Sequence, residues 1–191
     1  MTLAVFASGN GSNFSAIIKA IKQHKIKVKL VILVCDKPGA FVIKRAQKAG
    51  VQVVLVSRED FLSRVDFEKA IISRLESYKV DLIALAGFMR MLSPAFVKKY
   101  HNRILNIHPS LLPAFKGGQA IKDALDSKAS FTGVTVHFVD AKMDHGPIIL
   151  QEQIRIRNSD TLVSLEKRIH GLEHKLYPQV IRLFVEGKIK A

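Results

Sequence analysis

With 191 residues, 48% of them hydrophobic, the chain is expected to form one globular domain with a core of its own, which excludes a disordered segment and a staple-dependent mini-domain. A single cysteine, Cys35, excludes an internal disulfide and any cysteine-based zinc motif, and agrees with a reducing compartment. The formal charge of +14 raises nucleic acid as a partner, but Lys and Arg are scattered in ones and twos without interleaved aromatics, so a solvated surface that draws in anionic small molecules is expected instead.

No basic residue precedes the apolar Leu3-Ala4-Val5-Phe6, so no signal peptide is expected, and the apolar runs are far shorter than the ~20 residues of a bilayer span. A cytoplasmic protein without membrane or nucleic-acid partners is the expectation. Residues 2–7 read as a buried strand, followed by Ser8-Gly9-Asn10-Gly11-Ser12-Asn13 and a helix whose Phe14, Ile17, Ile18 and Ile21 recur at helical spacing. Glycines allow the tight turn, Ser12 or Asn13 is expected to cap the helix, and the free N–H groups of its first turn face an anion. Asp36, after the second strand (28–35), stands where a dinucleotide site places its ribose-binding acid, but Phe14 replaces the third glycine of that fingerprint, so a phosphomonoester fits better.

A turn at Asp36-Lys37-Pro38-Gly39 leads to a helix over 40–49, a third strand over 51–56, and a long helix from about Arg58 to Tyr78. The apolar 82–86 follows. Strands and helices alternating with short loops indicate a three-layer α/β fold with a mostly parallel sheet, and ligands should gather at the carboxyl ends of its strands. One such end is 86–94, where Met89, Met91 and Leu92 are expected to edge a soft apolar pocket before a helix capped by Ser93.

Residues 103–108 read as a short buried strand in which Asn106 and His108 share one face while Leu105 and Ile107 point into the core. An amide donor beside an imidazole suits one task, holding the oxygen of a carbonyl that becomes tetrahedral and negative under attack. A histidine used this way needs a carboxylate nearby, and Asp144 is the candidate. It lies in the turn-rich Asp140–Pro147 loop between strands at 131–139 and 148–156, which are expected to pair antiparallel. His137 is expected to be a hydrogen-bonded structural histidine next to the site, and Asp140 and His145 to face solvent.

The last segment is expected to be a helix capped at Ser159 or Asp160, with Leu162, Leu165, Ile169, Leu172 and Leu176 as its apolar stripe and Pro178 breaking or kinking it. His170-Gly171-Leu172-Glu173-His174 matches the H-x-x-E-H pattern of inverted zinc peptidases, but no third ligand follows in the short remainder of the chain. No metal is expected, and His170 and Glu173 are instead candidates to face a polar substrate.

Four stretches taken in order, Ser8-Gly9-Asn10-Gly11-Ser12-Asn13, residues 86–94, Asn106-x-His108-Pro109-Ser110-Leu111-Leu112-Pro113, and Asp140-x-x-x-Asp144-x-Gly146-Pro147, closely resemble the phosphoribosylglycinamide formyltransferase family. The resemblance spans nearly the whole chain. It implies a Rossmann-like formyltransferase fold forming a single domain over 1–191, with a phosphate-binding half at about 1–100 and a folate-binding and catalytic half at about 101–191, and an antiparallel strand in the second half. It implies formyl transfer from 10-formyltetrahydrofolate, a co-substrate, to glycinamide ribonucleotide in de novo purine synthesis, by a monomer or homodimer. Gly11, Ser12 and Asn13, with His170 and Glu173, would bind the ribonucleotide. Arg64, Met89, Arg90, Met91, Leu92, Asn106, Asp140, Ala141, Lys142, Met143 and Asp144 would hold the folate, and Asn106, His108 and Asp144 would carry the chemistry. Gln119 and His170 stand at positions where this sequence departs from the family pattern. Methionyl-tRNA formyltransferase and formyltetrahydrofolate deformylase share the Asn-x-His…Asp core, but their added domains and the phosphate loop here argue for the ribonucleotide enzyme.

Overall fold

The computed structural model of the chain describes residues 1–189; the last two residues of the expected domain lie outside them. Seven strands, β1 (Thr2–Phe6), β2 (Lys29–Cys35), β3 (Gln52–Leu55), β4 (Leu82–Leu85), β5 (Ile104–His108), β6 (Phe131–Phe138) and β7 (Ile148–Arg155), form one sheet in the order β3-β2-β1-β4-β5-β6-β7. Strands β1 to β5 pair parallel, and β6 runs antiparallel to both neighbours. Among the described residues the α-helices are α1 (Ser12–Lys22), α2 (Phe41–Ala49), α3 (Arg64–Ser77), α4 (Pro94–Lys99), α5 (Ala120–Asp126) and α6 (Leu162–Val185).

Strand alternation sorts the apolar side chains into two cores. Leu3, Val5, Leu33, Leu82 and Leu105 face α1, α2, α5 and α6, while Ala4, Phe6, Ile32, Ile83 and Ile104 face α3 and α4. This is the expected three-layer arrangement. The second face is unevenly covered, however: α3 and α4 lie over its N-terminal half, and loops cover β5 and β6. The strand order reverses between β1 and β4, so the chain segments leaving β1, β2 and β4 meet at one edge.

Several local expectations are corrected. The helix expected from Arg58 to Tyr78 is divided into a 3₁₀ turn at Arg58–Asp60 and α3, because Ser63 accepts a hydrogen bond from the Asp66 amide (3.1 Å) and starts a new helix. No side chain caps α1; its cap position is Gly11, in the left-handed region at φ 78°. Helix α6 is capped by Thr161 in a reciprocal pair with Ser164, while Asp160 takes up Arg157, Ser164 and Arg168. Pro178 neither breaks nor ends α6, which runs on to Val185, because Leu176, Tyr177, Val180 and Ile181 are buried on both sides of it and packing outweighs the missing hydrogen bond.

Tyr177 ties that helix to the site. Fully buried, its hydroxyl lies 2.8 Å from the Leu85 carbonyl and 3.0 Å from that of Leu105, bridging β4 and β5 below the end of β5 that carries Asn106 and His108. Burial pushes the phenol well above its ordinary pKa, so it remains a donor. Tyr177→Phe leaves two buried acceptors without this partner and is expected to lower unfolding stability by about 1–3 kcal/mol, read as a lower urea midpoint at unchanged slope.

Candidate active site

Strand β5 delivers Asn106 and His108 onto the second face, as alternation requires, and Leu105 and Ile107 into the first core. The His108 ring is 5% exposed. Its Nε2 lies 2.7 Å from the Phe115 carbonyl and its Nδ1 lies 3.5 Å from Asp144 Oδ2, so both nitrogens face acceptors. Asp144 Oδ2 also accepts from the Gly117 amide (2.9 Å), and Oδ1 lies 3.5 Å from Asn106 Nδ2.

The loop carrying Asp144 is closed at its base by the Phe138 amide, which donates to the Pro147 carbonyl at 2.9 Å. A Cβ on Gly146 would lie 2.0 Å from the Phe138 carbonyl oxygen, so only glycine permits that closure. The loop then turns through Asp144 itself, at φ 47°, to bring the carboxylate back over β5.

His137, on β6 opposite Asn106, completes the cluster. Its Nδ1 donates to the Phe138 carbonyl (2.7 Å), and its Nε2 accepts from Asn106 Nδ2 (3.1 Å). Burial, its largest influence, pulls the His137 pKa below the ordinary value, which agrees with a neutral ring having one donor and one acceptor side. The structure thus makes His137 an orienting partner of Asn106, a role the alternation of β6 hinted at but did not specify.

At the other end of the site, Gly11 starts α1, and a Cβ there would lie 2.4 Å from Val42 Cγ2, so the tight turn and the closeness of α2 both demand glycine. The first-turn amides of α1 have no intrahelical partners and no capping side chain. Asn13 turns inward instead: Nδ2 donates to Glu173 Oε2 at 2.9 Å, and its Oδ1 is buried without a partner. The same Glu173 oxygen accepts from His170 Nδ1 at 2.9 Å. That hydrogen bond raises the His170 pKa against the opposing effect of burial. A cavity of about 770 Å³ between α1 and α6 begins at Ser12 and is flanked by Lys19, Lys25, Arg45 and Arg182.

Between these ends lies the segment leaving β4. Leu92 packs into the second core, so it anchors the loop, while Met89 and Met91 are exposed on its rim. Arg64 Nη2 donates to the Met91 carbonyl (2.7 Å) and its Nε pairs with Glu68 (3.1 Å). Glu68 is buried and also accepts from the Ser93 amide (2.7 Å) and hydroxyl. Arg90 Nε pairs with Asp36 at 2.5 Å. Neither Glu68 nor the Asp36–Arg90 pairing was evident from sequence, although Glu68 lies four residues after Arg64, where a helical ion pair forms. Asp140, Ala141, Lys142 and Met143 line the outer part of the 140–147 loop, where Asp140 and His145 pair with each other at 2.6 Å. Gln119 is exposed at the cap position of α5 and makes no capping bond. His170 and His174 stack at 6.5 Å, and among the described residues no group of three or more His, Cys, Asp or Glu side chains is arranged to hold a metal. No described helix is long and apolar enough to cross a membrane.

An amide and an imidazole presented together over a strand end of a doubly wound α/β sheet, with a carboxylate beside the imidazole, have the geometry that acyl transfer calls for. The formyl transferase family model matches residues 1–181, and the chain belongs to that family. It is 48% identical to a phosphoribosylglycinamide formyltransferase of Bacillus subtilis (strain 168), over 94% of this chain and 92% of the relative. It is 38% identical to the trifunctional purine biosynthetic protein adenosine-3 of Homo sapiens over 98% of this chain, but spans only 19% of that protein. The crystal structure of glycinamide ribonucleotide transformylase 1 from Symbiobacterium toebii superposes with a TM-score of 0.97 at 40% identity, covering 100% of this chain and 90% of that one.

The two flanking histidines should titrate in opposite senses. A raised His170 stabilises the fold fully below about pH 6.5 and loses that contribution as pH rises through its folded value; a lowered His137 costs stability as pH falls below 6.5 toward its folded value. Proton NMR is expected to place the His170 midpoint above and the His137 midpoint below the ordinary value, and Glu173→Gln is expected to bring His170 back down.

Proposed function

We propose that this chain transfers the formyl group of 10-formyltetrahydrofolate to the amine of glycinamide ribonucleotide, giving formylglycinamide ribonucleotide and tetrahydrofolate in de novo purine biosynthesis, as a cytoplasmic enzyme. The observation that carries the reading is the placement of Asn106, His108 and Asp144 on the same sheet edge as an uncapped helix N-terminus. Only β4 separates β1 from β5, so the phosphate loop and the catalytic strand end lie roughly 10 Å apart, two strand spacings. That is a span a small phosphorylated substrate bridges.

In this reading the ribonucleotide phosphate sits on the amides of Gly11, Ser12 and Asn13, with Glu173 and His170 toward its sugar. The folate lies along Arg64 and Met89 to Leu92, under residues 140–144. The substrate amine attacks the formyl carbon, and the carbonyl π electrons move onto oxygen. Asn106 and protonated His108 hold that oxyanion. Asn106 is suited to this because His137 fixes one amide hydrogen, while the other, facing Asp144 at 3.5 Å, is only weakly engaged. His108 Nε2 meets the oxyanion when the Phe115 carbonyl yields its place, and Asp144 supports the ring's charge from the Nδ1 side. Collapse of the intermediate breaks the bond to the folate nitrogen, which takes up a proton as the attacking amine loses one. The step as written calls on side chains alone, with no metal and no covalent enzyme intermediate.

The test is tetrahydrofolate release followed by ultraviolet absorbance with and without glycinamide ribonucleotide. Release that depends on the ribonucleotide supports the transferase; release without it would point to a deformylase instead. His108→Ala and Asp144→Asn are each expected to lower kcat by roughly 10²- to 10⁴-fold and Asn106→Ala by roughly 10²- to 10³-fold, with smaller changes in KM. Gly11→Ala should act on the other term, raising the KM for the ribonucleotide more than that for the folate, because the clash with Val42 displaces the α1 amides.

A further inference from the structure

We propose that Asp36 is a positioning residue for the folate co-substrate, acting through Arg90. This rests on the formyl-transfer reading above and deepens its folate side. Asp36 follows β2 and occupies the place where a dinucleotide fold keeps a ribose-binding acid, but here the carboxylate does not face a sugar site. It is 3% exposed, and both of its oxygens are engaged within the protein. Oδ1 accepts from the Ser8 hydroxyl at 2.5 Å and Oδ2 accepts from Arg90 Nε at 2.5 Å. A carboxylate buried this deeply demands charge compensation, and Arg90 is the cation that provides it.

The arrangement does more than neutralise a charge. Ser8 Oγ accepts from the Met89 amide (3.0 Å), and the Ser8 amide donates to the Gly87 carbonyl (3.0 Å). Ser8, Asp36, Arg90 and Met89 therefore close a ring at the point where β1, β2 and β4 meet, and the ring sets the path of the loop on which the folate lies. Asp36 takes the Nε edge of Arg90, whose guanidinium carbon lies 5.8 Å from the centre of the Phe67 ring, and the two Nη nitrogens are left over. Among the described residues these have no hydrogen-bond partner, and the side chain is 36% exposed. A fixed guanidinium presenting a free fork loses little entropy when it binds acceptor atoms of the folate, which is the advantage of a held arginine over a lysine.

The experiment measures kcat and both KM values for wild type, Asp36→Asn, Arg90→Gln and the double variant, with urea midpoints alongside. Asp36→Asn is close in shape and is expected to raise the KM for 10-formyltetrahydrofolate roughly ten- to a hundredfold, the worth of a charge-assisted hydrogen bond, while kcat and the ribonucleotide KM stay within about twofold. In the Arg90→Gln background the same change should have no further effect. An unchanged folate KM in folded Asp36→Asn would overturn the proposal, as would an equal rise in the Arg90→Gln background, or a parallel rise in both KM values that tracks a lowered urea midpoint. Asp36→Glu keeps both charges and displaces the carboxylate from Arg90 Nε; should Asp36→Asn fail to fold, it carries the test, with a raised folate KM that vanishes in the Arg90→Gln background expected and no rise overturning it. Absence of ribonucleotide-dependent transfer in the wild type would instead overturn the functional reading, so the two failures are separable.

Discussion

The carboxylate of Asp144 is the constraint from which the arrangement around β5 follows. It must sit against His108 and Asn106, both on strand β5, yet it belongs to a loop nearly forty residues further along. The antiparallel entry of β6 makes that possible. Had the chain returned parallel, a crossover helix would have been needed, and it would have covered the sheet face that Asn106 and His108 occupy. Reversal instead brings the 139–147 loop back over β5, and the second face there is roofed by loops whose backbone can touch the reacting groups. The Gly117 amide and the Phe115 carbonyl do so directly.

The N-terminal half meets a different demand, which is to present unsatisfied donors without collapsing onto itself. Gly11 starts α1 without a cap, and Asn13, which on its own would make a good cap, is drawn away by Glu173. The helix end stays open because α6 supplies the competing acceptor. A surface of net charge +14, with Lys19, Lys25, Arg45 and Arg182 around the adjacent cavity, favours the arrival of anionic ligands at this edge. The segment leaving β4 separates the two halves, held on one side by Asp36 through Arg90 and on the other by Glu68 through Arg64.

Much of this was legible in the sequence where local rules decide. Alternation placed Asn106 and His108 on one face, the Gly-x-Gly turn marked the α1 end, and the glycine and proline of Asp140–Pro147 announced a loop between antiparallel strands. Contacts between distant residues were not legible, because no local rule speaks for them. Asn13 and Glu173 are separated by 160 positions, and only the packing of α1 against α6 joins them. Asp36 shows the same limit from another side: its position after β2 suits a ribose or an arginine equally, and the choice is made by Arg90 on a loop 54 residues away. Helix ends failed for a third reason, since Ser159, Asp160 and Thr161 all carry capping side chains and only the geometry of the first turn selects Thr161. Pro178 suggests a break or a kink because the local penalty is real; the break does not occur, since the buried residues around it outweigh that penalty.

The two histidines that face Asp144 show how one residue type is set into two different surroundings. His137 has an acceptor at one nitrogen and a donor at the other, so a single proton satisfies it, and its neutral ring can fix the Asn106 amide in place. His108 faces acceptors on both sides, the Phe115 carbonyl at 2.7 Å from Nε2 and the Asp144 carboxylate at 3.5 Å from Nδ1, so the carboxylate lies on the far side of the ring from Nε2. Asp144 lies within 3.5 Å of His108 and 3.8 Å of His137, so proximity to the carboxylate does not distinguish them. The difference comes from the remaining contacts. Asn106 occupies the nitrogen of His137 that faces Asp144, whereas the Nδ1 of His108 makes no hydrogen bond to another group among the described residues and faces the carboxylate. His137 is thus engaged by Asn106 and the Phe138 carbonyl while burial holds its pKa down, and the Asp144 carboxylate is left beside His108.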